Sequence, residues 1–274
     1  MDYIIRNIDL DTDIKNVREA HGADEHWGSD EACYASGKTS LENGFHIQVA
    51  VCGDKIIGHV EWVVSDEPNA RFLYLGMMQV HDDFQKRGIG SKLIECGAAY
   101  AKQNGCAFLR TCPSIESGSV FFYQKNGFAQ IKDSNRYVII KTKSAVANSA
   151  VKINTVPFAV IKEKTLLSGF YQHASAHIWK VFNARHEYDE RIVSTYKIGG
   201  AYVNIGAFKP NKEAHAVLWG EKITTALIAE ILSLGGGLGY DSMEFCILEE
   251  NLKCFTDFDC EVGEKYDVFM ERRL

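Results

Sequence analysis

Gln85-Lys86-Arg87-Gly88-Ile89-Gly90-Ser91 stands between an apolar, strand-like run and a long amphipathic helix pattern. It reads as a cradle for a pyrophosphate. Two glycines let the backbone curl with its N–H groups facing inward, and a helix starting there adds the positive end of its dipole. Upstream, Phe72 to Val80 has the length and composition of a strand, broken by His81-Asp82-Asp83. Downstream, Ile89, Leu93, Cys96 or Gly97, and Tyr100 or Ala101 recur at helical spacing, and Asn104-Gly105 reads as a left-handed cap. Cys106 to Thr111 is a second strand, stopped by Cys112-Pro113-Ser114.

Two nucleotide readings of the turn fail on what they require. A triphosphate loop ends Gly-Lys-Ser/Thr, whereas Gly90 is followed by Ser91 and then Lys92. A dinucleotide fingerprint needs a third glycine where Leu93 stands, and a later acidic residue for the ribose.

With Gln85, Gly88 and Gly90 in the pattern Gln/Arg-x-x-Gly-x-Gly/Ala, the segment resembles the acyl-CoA loop of the GNAT acyltransferase superfamily. Phe122-Tyr123-Gln124-Lys125-Asn126-Gly127-Phe128 matches a second stretch usual in that family. The resemblance covers roughly residues 3 to 142. It implies acetyl-CoA as acyl donor, with Gln85, Lys86, Arg87, Gly88, Ile89, Gly90, Ser91, Ser119, Phe122 and Tyr123 as cofactor contacts. Main-chain N–H groups of Met78, Gln79 and Val80, near a strand bulge, would polarise the thioester carbonyl.

The rest of the first half suits that frame. Tyr3 to Arg6 is a short strand, and Asp11-Thr12-Asp13-Ile14 opens a helix with an acidic first turn. Phe45 to Val51 and Ile56 to Val64 form a hairpin across Gly53, and 72 to 80 completes an antiparallel meander. In the second arm Ile56, Gly58, Val60, Trp62 and Val64 share one face, and His59 and Glu61 the other.

Attack on a thioester needs a neutral amine and a proton for the departing thiolate. The resemblance assigns the proton donor to Tyr123. Glu61, which interrupts an apolar strand, is the first candidate base, and Glu116 the second. Here the family's Asn-x-x-Ala becomes Glu116-Ser117-Gly118-Ser119, a departure at the start of the expected helix. The acceptor pocket is expected from residues 21 to 44, with His26, Trp27 and Tyr34 as contacts for a cationic amine, beside His21, Asp30 and Glu31.

At 274 residues the chain is long enough for two domains. A net charge of -6 with dispersed Lys and Arg argues against nucleic acid. Apolar runs are too short to span a bilayer and the start lacks a secretory signal, so a cytoplasmic protein without membrane contact is expected. The partner expected is a small-molecule or peptide amine, with a homodimer as the open assembly state. Cysteines at 33, 52, 96, 106, 112, 246, 254 and 260 contain no Cys-x-x-Cys pair and read as reduced and structural, with no metal. Cys112, at a strand end near the expected thioester, is the exception kept open.

The expected organisation is an α+β chain of two such domains, each a mixed, mostly antiparallel sheet flanked by helices. Residues 1–145 would carry the acyl-CoA loop, 146–154 the linker, and 155–274 a second domain of like element order. That half begins with Phe158 to Ile161 as strand and Tyr171 to Phe182 as helix. Strands 192 to 198, 201 to 208 and 213 to 219 then precede a helix from Lys222 to Leu234, strand 242 to 248, a short helix near 250 to 255 and strand 266 to 272. Trp219-Gly220-Glu221-Lys222 lacks the phosphate loop, and Gly235 to Gly239 reads as a flexible turn after the helix. The expected activity is acetyl transfer to an amine by direct attack on the thioester. The alternative is an acyl-CoA-binding or regulatory protein without turnover.

Overall fold

The computed structural model describes residues 2–20, 30–67, 70–132, 135–141, 154–156, 166–168, 192–207, 213–265 and 267–274. The chain divides into two compact units, one of Met1–Thr111, Gln124–Ala129 and Glu271–Leu274, the other of Cys112–Tyr123 and Gln130–Met270. In chain order the described elements begin β1 (Ile4–Asn7), α1 (Leu10–Ala20), α2 (Asp30–Glu42), β2 (Phe45–Cys52), β3 (Lys55–Glu67) and β4 (Ala70–Val80). They continue α3 (Ile89–Gln103), β5 (Phe108–Thr111), α4 (Ser119–Lys125), β6 (Ala129–Lys132), β7 (Asn135–Lys141), β8 (Asn154–Thr155) and β9 (Leu166–Ser168). The remainder is β10 (Ile192–Ile198), β11 (Ala201–Ala207), β12 (Glu213–Trp219), α5 (Thr225–Gly237), β13 (Ser242–Leu248), β14 (Cys260–Lys265) and β15 (Phe269–Arg273).

One mixed sheet runs β1-β2-β3-β4-β5-β15-β6 and a second β14-β7-β13-β12-β11-β10-β8. The α+β class and the two similar halves are therefore present. Strand membership does not follow chain order. β7 precedes the expected linker yet lies in the second sheet, and β15, last in the chain, lies in the first. The boundary expected at 146–154 thus does not coincide with the division of strands. The expected strand at 158 to 161 and helix at 171 to 182 fall outside the described residues.

In the first unit, β1 to β4 are antiparallel neighbours and β5 runs parallel to β4. Alternation puts Gly58, Val60 and Trp62 of β3 toward α3, where the fully buried Trp62 ring lies over Gly97. A Cβ at Gly97 would stand 2.2 Å from Trp62 Cζ2, so the ring's seat exists only because that side chain is absent. Periodicity had left Cys96 and Gly97 as equals; the large partner separates them. Ile56 does not share the Gly58 face as alternation implied. A bulge passes the register from Ala50↔Gly58 to Val51↔Ile56, the extra residue being Ile57. Ile56 thereby turns to the opposite face and packs with Val17 of α1 and Val49.

Three ion pairs fasten this unit. Arg6 grips Asp13 with both terminal nitrogens at 2.5 and 2.8 Å, anchoring α1 to β1. Burial would raise the Asp13 carboxyl, but the Arg6 hydrogen bonds and the Asp9 N–H hold it below the usual carboxylate range. At the far edge Arg110 donates to Glu271 at 2.8 Å and Arg272 to Glu95 of α3 at 2.7 Å, so the last strand is tied to both layers.

In the second unit, β10, β11 and β12 form an antiparallel meander and β13 runs parallel to β12. Val203, Ile205, Ala216, Leu218 and Phe245 pack against Ile228 and Ile231 of α5. This helix covers Thr225–Gly237, so Gly235, Gly236 and Gly237 belong to its last turn and not to a turn beyond it. The hydrogen bonds explain the correction. Tyr240 N donates to Gly235 O and Gly239 N to Gly236 O, the paired closure in which one left-handed residue, Gly239 with φ +90°, ends the helix. The same closure ends α3 at Gly105, as the sequence indicated, with Cys106 N on Ala101 O and Gly105 N on Lys102 O.

Gly97→Ala reports the Trp62 seat. At an exposed helix position this change gains roughly 0.5–1 kcal/mol, whereas overpacking here should cost about 1–3 kcal/mol. Chemical denaturation reads the sign, and a higher midpoint would remove the contact from the core.

Candidate active site

The site grows from a separation of two parallel strands. β4 pairs with β5 only from Phe72↔Phe108 to Tyr74↔Arg110. Then the register against β3 jumps from Trp62↔Leu75 to Glu61↔Met77, with Gly76 as the bulged residue. Met77 to Val80 stay bonded to β3, and alternate main-chain groups of this stretch point into the gap. The sequence placed Met78, Gln79 and Val80 near a bulge. Gly76 supplies it, and a glycine inside a strand pattern is its signal.

β4 leads into the glycine turn. His81 Nδ1 accepts from Asp83 N at 3.2 Å, and Gln85 Nε2 donates to Val80 O at 3.1 Å and Asp82 Oδ1 at 2.7 Å. Gln85 thus buckles the turn back onto the strand end. Lys86 with φ +59° and Gly88 with φ +82° lie in the left-handed region, which costs a non-glycine residue about 1–2 kcal/mol. Gly88 has open space where a side chain would be, so conformation alone demands glycine there.

The first helical bond is Lys92 N to Gly88 O at 3.0 Å. The N–H groups of Ile89, Gly90 and Ser91 therefore lack intrahelical acceptors, no side chain caps them, and the first turn has no acidic residue. Lys86 and Arg87 are exposed, with the Arg87 guanidinium 5.4 Å from the Phe84 ring centre. Three inward N–H groups, a helix dipole and two cations fit a pyrophosphate.

Glu61 is buried, where its place in the strand had left a solvated face equally open. Its Oε1 lies 3.3 Å from His59 Nε2, and each side chain is only 3% exposed. Sequence reasoning put the two on one face without joining them. Tyr34 is exposed on α2, and its hydroxyl donates to Asp11 at 3.1 Å. His26 and Trp27 lie outside the described residues.

The remaining expected residues belong to the second unit. Tyr123 is buried in α4 with Phe122 edge-on at 5.3 Å. Ser119 N donates to Ser117 Oγ at 3.3 Å, and Glu116 is exposed on the preceding turn. Cys112 donates its thiol to Asp267 at 3.0 Å. Burial first, then the Asp267 charge, pushes that thiol well above its ordinary value, which opposes nucleophilic use. Among the described residues no three His, Cys, Asp or Glu side chains form a metal-holding group, and no helix is long and apolar enough to cross a membrane.

Residues 43–130 match the model of the acetyltransferase (GNAT) domain. That stretch is similar to a GNAT domain. Whole-chain likeness extends the fold to both halves. A tandem GNAT protein from the clavulanic acid biosynthesis pathway superposes with a TM-score of 0.65 at 12% identity, over 99% of this chain and 98% of that one. A GCN5-related N-acetyltransferase from Anabaena variabilis gives 0.70 at 12% identity, over 99% and 73%. One from Kribbella flavida gives 0.63 at 13%, over 100% and 71%. At such identities the likeness is one of fold. No curated protein sequence matches the chain.

The second GNAT-like half repeats the framework with its openings filled. Beyond Ala216↔Phe245, β12 leaves β13 and pairs instead with β9, through Leu218↔Ser168 and Trp219↔Leu166. Its helix start is capped by Thr224, whose side chain accepts from Leu227 N at 3.1 Å. Glu221 precedes that cap, where a phosphate would meet like charge.

Iodoacetamide at pH 8 should label Cys112 at least tenfold more slowly than a denatured control, by peptide mass spectrometry. Equal rates would restore Cys112 as a candidate nucleophile.

Proposed function

We propose that this chain is an acetyl-CoA-dependent N-acetyltransferase that transfers the acetyl group to an amine by direct attack on the thioester. The observation that carries the reading is the uncapped start of α3, reached directly from the unpaired end of β4 in a segment matching the GNAT domain model.

Acetyl-CoA supplies the activated carbonyl, and the other demands fall on this chain. Ile89, Gly90 and Ser91 N–H groups hold the pyrophosphate, helped by the Lys86 and Arg87 charges, while Gln85 and Gly88 keep the turn in shape. Main-chain N–H groups of Met78 to Val80 bind the thioester carbonyl. Glu61 is the first candidate to take the amine proton and Glu116 the second; Tyr123 returns a proton to the leaving sulfur. Ser119 and Phe122 extend the cofactor contacts, and His26, Trp27 and Tyr34 contact a small or peptide amine.

Calorimetry should find one acetyl-CoA per chain, since the second unit's strand edge and helix start are already bonded. A stoichiometry of two would overturn that assignment. Gly88→Val should weaken acetyl-CoA binding at least tenfold, because a β-branched residue resists φ +82°; retained affinity would sink the cradle.

An amine panel followed by free-thiol release tests turnover, and binding without release would identify a non-catalytic protein. Tyr123→Phe should lower kcat by roughly 100-fold, within the usual range for proton-transfer groups, with little change in acetyl-CoA affinity. Unchanged kcat would remove Tyr123 from the donor role.

A further inference from the structure

Two glycines of the first unit meet opposite demands. Gly88 has open space around it and a left-handed φ, so its conformation requires glycine. Gly58, in β3, has no such φ and lacks the space. A Cβ there would stand 3.2 Å from Ile89 Cγ2, 3.4 Å from Leu93 Cδ1 and 3.4 Å from Gln79 O. Packed carbon atoms keep about 3.5–4.0 Å, so both side-chain contacts fall short. Glycine weakens a strand interior, and its use there marks the close approach of another segment.

The segments that approach are the two parts of the candidate cofactor site. Ile89 and Leu93 are buried on the first two turns of α3, and the Ile89 N–H is the first of the three uncapped donors. Gln79 belongs to the end of β4 beyond the Gly76 bulge, and Gly58 itself lies opposite Val80.

We propose that Gly58 is a positioning residue for acyl-CoA: its missing side chain seats the first turn of α3 against the end of β4, which sets the spacing between the helix N–H groups and the strand main chain. This rests on the acetyl-CoA reading and adds the residue that fixes the geometry of its two main-chain subsites.

A methyl group added at position 58 displaces the helix rather than the strand. β3 and β4 are paired from Gly58↔Val80 onward, and His81 N donates to Ile57 O at 3.1 Å, so the strand end is held by main-chain bonds. α3 rests on the sheet through packed side chains. Hydrogen bonds from N–H to oxygen hold over about 2.7–3.2 Å. Relieving the Ile89 contact takes a shift of about 0.3 Å, a large part of that window. The pyrophosphate subsite therefore loosens while the strand subsite keeps its place, which weakens binding without slowing the bound complex.

The test is calorimetry with acetyl-CoA and with CoA, joined to steady-state kinetics on the full chain. Gly58→Ala should weaken both ligands fivefold or more and raise the acetyl-CoA KM in proportion, with kcat within twofold. Unchanged affinity would overturn the inference, and so would a lower kcat at unchanged KM. Val17→Ala removes buried packing on α1 of the same unit and serves as the control for lost stability. It should lower the denaturation midpoint at least as far as Gly58→Ala, with acetyl-CoA affinity within twofold of wild type. Equal losses of affinity in the two variants would reduce Gly58 to a structural role. Ile89→Leu conserves volume and removes the γ2 methyl, so adding it to Gly58→Ala should bring the loss of affinity below twofold. A loss as large as that of Gly58→Ala alone would overturn the contact as its cause. This double variant also decides where Gly58→Ala by itself does not fold. A wild-type chain that binds acetyl-CoA but releases no thiol with any amine would sink the transferase reading and leave Gly58 to the binding data. One that binds no acetyl-CoA would sink both.

Discussion

Main-chain N–H and C=O groups released from a sheet or a helix end must find partners, and this requirement organises both halves of the molecule. Each half parts the third meander strand from its parallel neighbour and then starts a helix. In the second half the chain answers those groups itself, with β9 along the end of β12 and Thr224 at the start of α5. In the first half Gly88 offers no side-chain cap and the end of β4 runs on past β5. One framework thus yields a closed copy and an open one, the difference lying in a three-residue strand and one threonine.

The opening is held by rigid surroundings. Trp62 seated on Gly97 sets how closely α3 approaches β3, and therefore where the helix N-terminus lies relative to the strand that feeds it. Gln85 bonds the turn to Val80 O, and Lys86 and Gly88 keep left-handed conformations that curl its N–H groups together. At the other edge, Glu271 and Arg272 bring the end of the chain into the same sheet. The open half therefore needs residues from both ends of the sequence.

Buried polarity is the second theme. The His59–Glu61 contact places two ionisable side chains inside a strand whose cross-strand neighbours are mostly apolar. Cys112 and Asp267 show the contrasting outcome. There a thiol and a carboxylate share a part-buried hydrogen bond, and burial with the Asp267 charge raises the thiol well above its ordinary value.

The turn from Gln85 to Ser91, the meander before it and the helix and strand after it were legible in the sequence, because glycine conformation and side-chain periodicity are local properties. So were the missing loop of the second half and the Asn104-Gly105 closure. Local pattern failed where a partner distant in the chain decided the outcome. Ile56 changed face because β2 imposes a bulge at Ile57, and Gly97 outranked Cys96 because Trp62 lies above it. Three glycines that looked like a turn remained helical because the closing hydrogen bonds form at Gly239. The exchange of β7 and β15 between sheets, the plugging of β12 by β9 and the meeting of His59 with Glu61 were settled by tertiary structure. Strand pairing and side-chain contact depend on which segments the folded chain brings side by side, and no residue's own chemistry specifies its neighbour.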